Sequence, residues 1–133
     1  MRNRLVEIAR TYLGVPFKHQ GRTRRGLDCA GLVILVGRES GFLPPDFDVA
    51  NYSRMPNISH VLNIFEKYGV EKQKAEIGDI YIMDISGNPQ HLAIKTDIGI
   101  IHSTEFTGKV VEHILNKNWA DSVYRIYAWK GLA

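Results

Sequence analysis

Apolar residues recur at helical intervals in the first part of the chain. Leu5, Ile8, Ala9, Tyr12 and Leu13 share one face of a helix, which Gly14 and Pro16 bring to an end. A polar loop rich in Arg and Gly follows, from Lys18 to Gly26. The string DCAGLVILVGRESG then predicts a second helix. Asp28 is placed to cap its free amides, Gly41 fits just past its end, and Pro44-Pro45 enforces the break. A third helix is expected from about Ile58 to Tyr68, with Ile58, Val61, Leu62, Phe65 and Tyr68 on one side and His60 on the polar side.

After Gly69 the period changes. Short segments rich in β-branched and aromatic residues run from Ile80 to Met83, His91 to Thr96, Gly99 to Thr104, Lys109 to Leu115 and Ser122 to Trp129. Turn residues such as Ser86-Gly87-Asn88-Pro89 and Thr107-Gly108 divide them. Helices followed by closely spaced strands predict an α+β fold, with N-terminal helices packed on a C-terminal antiparallel sheet. No repeat, low-complexity stretch or linker interrupts the pattern. Residues 1–133 therefore read as a single domain.

Composition agrees with that reading. At 44% hydrophobic and 23% charged residues, the chain is too apolar for disorder, and a domain of this size buries enough surface to need no staples. The single cysteine, Cys29, excludes an intramolecular disulfide and a multi-cysteine zinc module. No run approaches the roughly 18 apolar residues of a membrane span. The amphipathic start MRNRLVEIARTYLG lacks the apolar centre of a secretory signal, so synthesis in the cytoplasm and delivery by some other agent are expected.

The formal net charge is only +3, but it is uneven. Arg2, Arg4, Arg10, Lys18, Arg22, Arg24 and Arg25 face Glu7 alone up to Leu27, a bias toward anionic partners. The excess is too small, and the aromatic spacing is wrong, for a nucleic-acid-binding surface.

Cys29 stands at the first turn of its helix, where amide donors and the helix dipole favour a thiolate. The same amides, the Cys29 N–H included, can hold an oxyanion. A free cysteine is also a small buried hydrophobe in many proteins, and position alone does not choose between these readings.

A nucleophile needs a base, and the base an orienting group. Among five histidines, His19 lies in the basic loop and His113 on a late strand. His91 and His102 sit on consecutive strands joined through Asp97-Ile98-Gly99. Strand side chains alternate faces, so loop length decides whether the pair meets. If Thr96 pairs with Gly99, His102 lies opposite Ala93 and diagonal to His91 on one face. A longer even loop sets the two histidines opposite each other, whereas a three-residue loop splits them across the sheet. Two histidines on one face, with one helix-capped cysteine, favour a Cys29-His91-His102 site. Zinc on the same three residues is the alternative, but the spacing is poor for a metal.

These residues also carry a resemblance. PFKHQGRTRRGLDCAGLV resembles the nucleophile region of NlpC-type cell-wall peptidases, bacterial and phage members of the papain superfamily, and HLAIKTDIGIIHS resembles their histidine strand and second histidine. The His19-Gln20 pair, VVEHILNKNW and VYRIYAW resemble a subgroup encoded with phage tails and phage-like gene-transfer particles. The resemblance implies a papain-like NlpC-type fold. It also implies cleavage of amide bonds in peptidoglycan stem peptides, in much of the family the D-γ-glutamyl–meso-diaminopimelate bond.

In that scheme Cys29 is the nucleophile, His91 the base and later the acid, and His102 the group that orients His91, with no metal or organic cofactor. Tail proteins of a phage or gene-transfer particle are the implied partners. Phe17, His19, Gln20, Asp28, Arg24 and Arg25 are the candidate substrate contacts, with Lys18 and Arg22 completing a cationic rim for the carboxylates of stem peptides. Asp28 also reads as the helix cap. Phe17 departs from the family, which usually has a tyrosine there, so a phenolic hydroxyl near the oxyanion is missing and His19 and Gln20 are candidates to replace it. A tail-tip or tail-assembly protein that keeps the fold without turnover is the second reading, and acyl transfer by the same triad a third.

Overall fold

The computed structural model describes residues 1–49, 58–85 and 88–132, with the side chains at 58–61, 85 and 88–90 outside that description. The expected roles of the Ile58, His60 and Val61 side chains and the Ser86-Gly87 turn therefore lie outside the described residues. Three longer helices precede the main sheet, as the change of period predicts. They are α1 (Arg2–Arg10), α2 (Cys29–Glu39) and α3 (Ile58–Tyr68). Between α1 and α2 the basic loop folds into a small antiparallel pair, β1 (Arg22–Thr23) and β2 (Gly26–Leu27).

The main sheet contains β3 (Gly69–Lys72), β4 (Ile80–Ile85), β5 (Asn88–Lys95), β6 (Ile100–Ser103), β7 (Val110–His113) and β8 (Val123–Trp129), with a short helix α4 (Lys117–Asp121) before the last strand. All its pairings are antiparallel, in the order β3-β8-β4-β5-β6-β7. The final strand thus inserts between β3 and β4.

Three features depart from the apolar pattern. The first helix stops at Arg10, so Leu13 falls out of the helical period and is 44% exposed rather than buried. From Gly69 the chain passes straight into the edge strand β3, which pairs with β8 and lies outside the strand segments marked by the apolar pattern. The third is α4, too short to leave a periodic signal, which is held by Asn116 accepting a hydrogen bond from the Trp119 N–H at 3.0 Å.

The sheet separates two apolar layers. Leu92, Ile94, Ile82 and Ile101 face the helices with Leu5, Leu32, Ile34 and Phe65. Tyr81, Met83, Ala93 and Ile100 form the other face, covered by Leu115 and Trp119 among others. At Met83 the register slips against both neighbours, leaving Gln90 as an extra residue in β5 and Tyr124 in β8. Bulges bend and twist a strand and re-aim nearby side chains. This one lies immediately before His91.

Most of the N-terminal cations hold the fold together. Arg2 reaches the fully buried Asp79 at 2.8 Å, and Arg10 forms a forked pair with Glu112 at 3.0 and 2.8 Å while also bonding Asp97 at 2.6 Å. Arg22 binds Asp28 and Asp48. The expected bias toward an external anion is therefore largely satisfied from within.

Candidate active site

The start of α2 is shaped by two close approaches. Asp28 caps the helix by accepting the Gly31 N–H at 2.8 Å, while its second oxygen accepts the Gln20 N–H at 2.8 Å. Arg22 donates to the same carboxylate at 3.1 Å. Gly31 is required because a Cβ there would lie 2.3 Å from the Gly21 carbonyl oxygen. Gln20 itself adopts a left-handed backbone, φ 60, which lets its amide turn toward Asp28. Asp28 is thus the helix cap, and its carboxylate is engaged by the loop rather than left open.

This scaffold places Cys29 against β5. The residue is partly buried and its sulfur is withdrawn from solvent, with the backbone N–H groups of Leu92 and Ala30 directed to it. Leu92 directly follows His91, so the amide that faces the thiol and the first candidate base are neighbours on β5. The expected thiolate is not the resting form. Burial, reinforced by the neighbouring Asp28 charge, pushes the Cys29 thiol up to about 12, outweighing the two amides and Arg22.

The histidines meet as a two-residue loop requires. Ile94 pairs with Ile101, Lys95 with Ile100, and Thr96 N–H donates to the Gly99 carbonyl at 2.8 Å. Continued by one pair, this register sets His102 across from Ala93 and diagonal to His91. His91 Nε2 and His102 Nδ1 are 2.6 Å apart. His102 is fully buried and His91 is 8% exposed. Burial lowers His91 to about 4 and His102 to about 3, the latter helped by the two histidines beside it, so both rings are neutral at pH 7.

Two further residues complete the row, neither of them assigned from the sequence. His113 on β7 lies 2.8 Å from His102, Nε2 to Nε2. Trp119 from α4 covers all three rings, with centroids 6.1 Å from His91, 4.9 Å from His102 and 5.7 Å from His113. The signal for His113 was present. His91, His102 and His113 are evenly spaced eleven residues apart, and the strand parity that joins the first pair also joins the second. Trp119 left no comparable signal, because its position depends on how α4 folds back. Both ring nitrogens of His102 are engaged by neighbouring histidines, which leaves neither for the zinc alternative.

The candidate substrate contacts divide into two groups. Phe17 is half-buried and its backbone bridges Leu27, two residues before the cysteine. His19 and Gln20 bond to each other, Nε2 to Nε2 at 3.3 Å, beside the Asp28 cap. Arg25 and Lys18 are exposed. Arg24 is not brought to the thiol. It stacks on Tyr12 at 4.1 Å, donates to the Thr11 carbonyl at 2.8 Å and approaches Glu39 at 3.8 Å. Glu39 ends α2, about 15 Å from Cys29 at 1.5 Å per residue. Arg22, wrapped around Asp28 and Asp48, likewise serves the loop.

A lone cysteine at a helix N-terminus, packed against an antiparallel sheet that carries bonded histidines, defines a papain-like α+β fold. The chain belongs to the NlpC/P60 family, whose profile matches residues 14–128. Solved structures with the same fold include the NlpC/p60 domain of the peptidoglycan hydrolase SagA. It is 19% identical with TM-score 0.67, and the match covers 96% of this chain and 98% of that one. An NlpC/P60 family protein from Bacillus cereus aligns at 20% identity and TM-score 0.68, over 95% of this chain and 39% of its own. The peptidoglycan hydrolase RipB from Mycobacterium tuberculosis aligns at 18% identity and TM-score 0.66, over 96% and 63%. This chain thus spans well under the full length of the last two. No curated protein sequence matches it.

Proposed function

We propose that this protein is a cysteine peptidase that hydrolyses amide bonds in peptidoglycan stem peptides, with Cys29 as nucleophile, His91 as base and His102 orienting His91. The observation that carries this reading is the bond between His102 and His91, the latter next to Leu92, whose amide faces the Cys29 sulfur. Family membership supports it, as do the peptidoglycan hydrolases among the fold neighbours.

Because thiol and imidazole are both neutral at rest, the proton moves as attack begins. Cys29 Sγ bonds to the carbonyl carbon while its proton passes to His91 Nδ1, the ring nitrogen that His102 does not hold. Collapse of the tetrahedral intermediate breaks the C–N bond, and the leaving amine takes the proton from His91. Water then adds to the thioester with His91 as base, releasing the acid and restoring the thiol. The exposed Lys18 and Arg25 supply the cationic rim for substrate carboxylates. The resemblance of VVEHILNKNW and VYRIYAW to tail-encoded peptidases supports delivery by a phage-like tail, and the resemblance to the NlpC-type family supports the D-γ-glutamyl–diaminopimelate bond as target.

The test is digestion of purified peptidoglycan and of defined muropeptides, followed by amino-terminus release and product masses. Cys29→Ala should abolish release and leave the thermal midpoint within a degree or two. Turnover that survives the change would sink the thiol mechanism. A tail protein without turnover is the second reading, favoured by the raised thiol and by Phe17 in place of tyrosine. It predicts no product from any muropeptide at full occupancy of the fold.

A further inference from the structure

The row of histidines does not stop at the pair the proposed mechanism uses. His113 bonds His102 on one side, and on the other its Nδ1 lies 2.8 Å from the Ile114 carbonyl oxygen. A carbonyl oxygen can only accept a hydrogen bond, and this single fact propagates along the row. His113 Nδ1 must carry the hydrogen, so in the neutral ring Nε2 is bare and accepts. His102 must then donate from Nε2, which leaves its Nδ1 bare. His91 must in turn donate from Nε2 to that atom at 2.6 Å, which leaves His91 Nδ1 unprotonated. Both nitrogens of all three rings are then accounted for.

We infer that His113 is a positioning residue: held by the Ile114 carbonyl, it sets the tautomer of His102 and through it keeps His91 Nδ1 bare, ready to receive the thiol proton. The inference rests on the proposed role of His91. It adds a fourth member, supplied by β7, to the three residues of that mechanism.

The surroundings favour one direction for the row. His113 meets His102 from β6 and the ring of Trp119 from α4, while Glu112 is turned away to the fork of Arg10. Gly99 has no Cβ because one would lie 2.2 Å from the His113 carbonyl oxygen, so the β5–β6 turn and the end of β7 are pressed together where the row terminates. Trp119 excludes water from the His102 ring, whose two nitrogens therefore depend on their histidine partners. When His91 becomes imidazolium during attack, its Nε2–H already points at an acceptor, and no ring has to turn. A His113 that donated from Nε2 would reverse each bond in the row, place a hydrogen on His91 Nδ1 and remove the base.

Substitutions at His113 separate this role from simple packing. His113→Gln retains an oxygen that can accept from His102, His113→Ala removes the partner, and His113→Lys offers only donors. In serine peptidase triads a wrong tautomer of the catalytic histidine costs about 10⁴ in kcat. One link further out, kcat should fall about tenfold in His113→Ala and further in His113→Lys, with KM unchanged, while His113→Gln stays within about threefold of the parent.

The deciding measurement needs no turnover. In ¹⁵N-labelled protein at pH 7, long-range ¹H–¹⁵N correlations within each imidazole report which nitrogen carries the hydrogen. The expected result is Nδ1–H at His113 and Nε2–H at both His102 and His91, with His102 switching to Nδ1–H in His113→Lys. Finding Nδ1–H on His102 of the parent protein overturns the inference, as does a His102 tautomer that ignores the lysine. A protein that cleaves no peptide yet shows the expected tautomers would refute the peptidase reading alone.

Discussion

A thiol at a helix N-terminus is usually expected to lose its proton early, yet here burial dominates. The helix end and two amides favour the anion, but withdrawal from water and the neighbouring Asp28 push Cys29 up to about 12, while burial lowers His91 to about 4. In the proposed mechanism, neutral thiol and neutral imidazole are therefore the forms that react. The pH dependence of kcat/KM reports the groups of the free enzyme. It should hold a plateau from about pH 5 to about pH 9, with no fall near the ordinary histidine value of about 6.5. Initial rates on one soluble stem peptide across that range check it. A bell centred between a low thiol and a high imidazole would require a preformed ion pair.

The first turn of α2 is the element on which the site depends, because four contacts meet in four residues. Asp28 closes the helix end and ties down Gln20 and Arg22, and Gly31 lets the Gly21 carbonyl approach. Glycine inside a helix costs about 1 kcal/mol relative to alanine, so Gly31→Ala would stabilise an isolated helix. Here the added carbon would sit 2.3 Å from a backbone oxygen, which no side-chain rotation relieves. We expect Gly31→Ala to lower unfolding free energy by about 2 kcal/mol, within the range for overpacking, and to reduce kcat by moving Cys29. Urea denaturation and peptide turnover measure both. The DCAGLV string announced the helix, its cap and its cysteine. The reason for its glycine was not legible, because the contacting carbonyl lies ten residues earlier in a loop without periodicity.

Across the whole molecule, the two buried histidines link stability to pH. His91 falls to about 4 and His102 to about 3 from an unfolded value of 6.5. Between those limits the unfolded chain binds more protons, so stability is fully present above pH 6.5 and is lost as pH falls toward 4. Every tenfold loss of proton affinity on folding corresponds to about 1.4 kcal/mol, so the effect reaches a few kcal/mol, a large part of a small domain's stability. The melting temperature should drop steeply from pH 6.5 to pH 4, and His102→Gln should flatten the slope while ending the row. Calorimetry at several pH values checks it. An unchanged midpoint down to pH 4 would mean that the rings are already protonated or open to water.

Local chemistry decided much of this protein in advance. The spacing of Leu5, Ile8 and Ala9, the Asp28 cap and the alternation of the later strands lie within a turn or a strand of one another, so sequence alone determines α+β order and the helix-terminal cysteine. The His91–His102 pairing was nearly legible too, since strand parity left only the loop length open and the Thr96–Gly99 bond selected one value. Tertiary structure decided the rest, through contacts between segments far apart in the chain. It turned Arg24 toward Glu39 and Arg22 toward Asp48, buried Cys29 enough to keep it protonated, and folded Trp119 over the histidines. The Ile114 carbonyl that ends the histidine row is by contrast local, one residue along the chain from His113. Charge partners and desolvation are properties of a packed neighbourhood, and no local pattern along the chain encodes them.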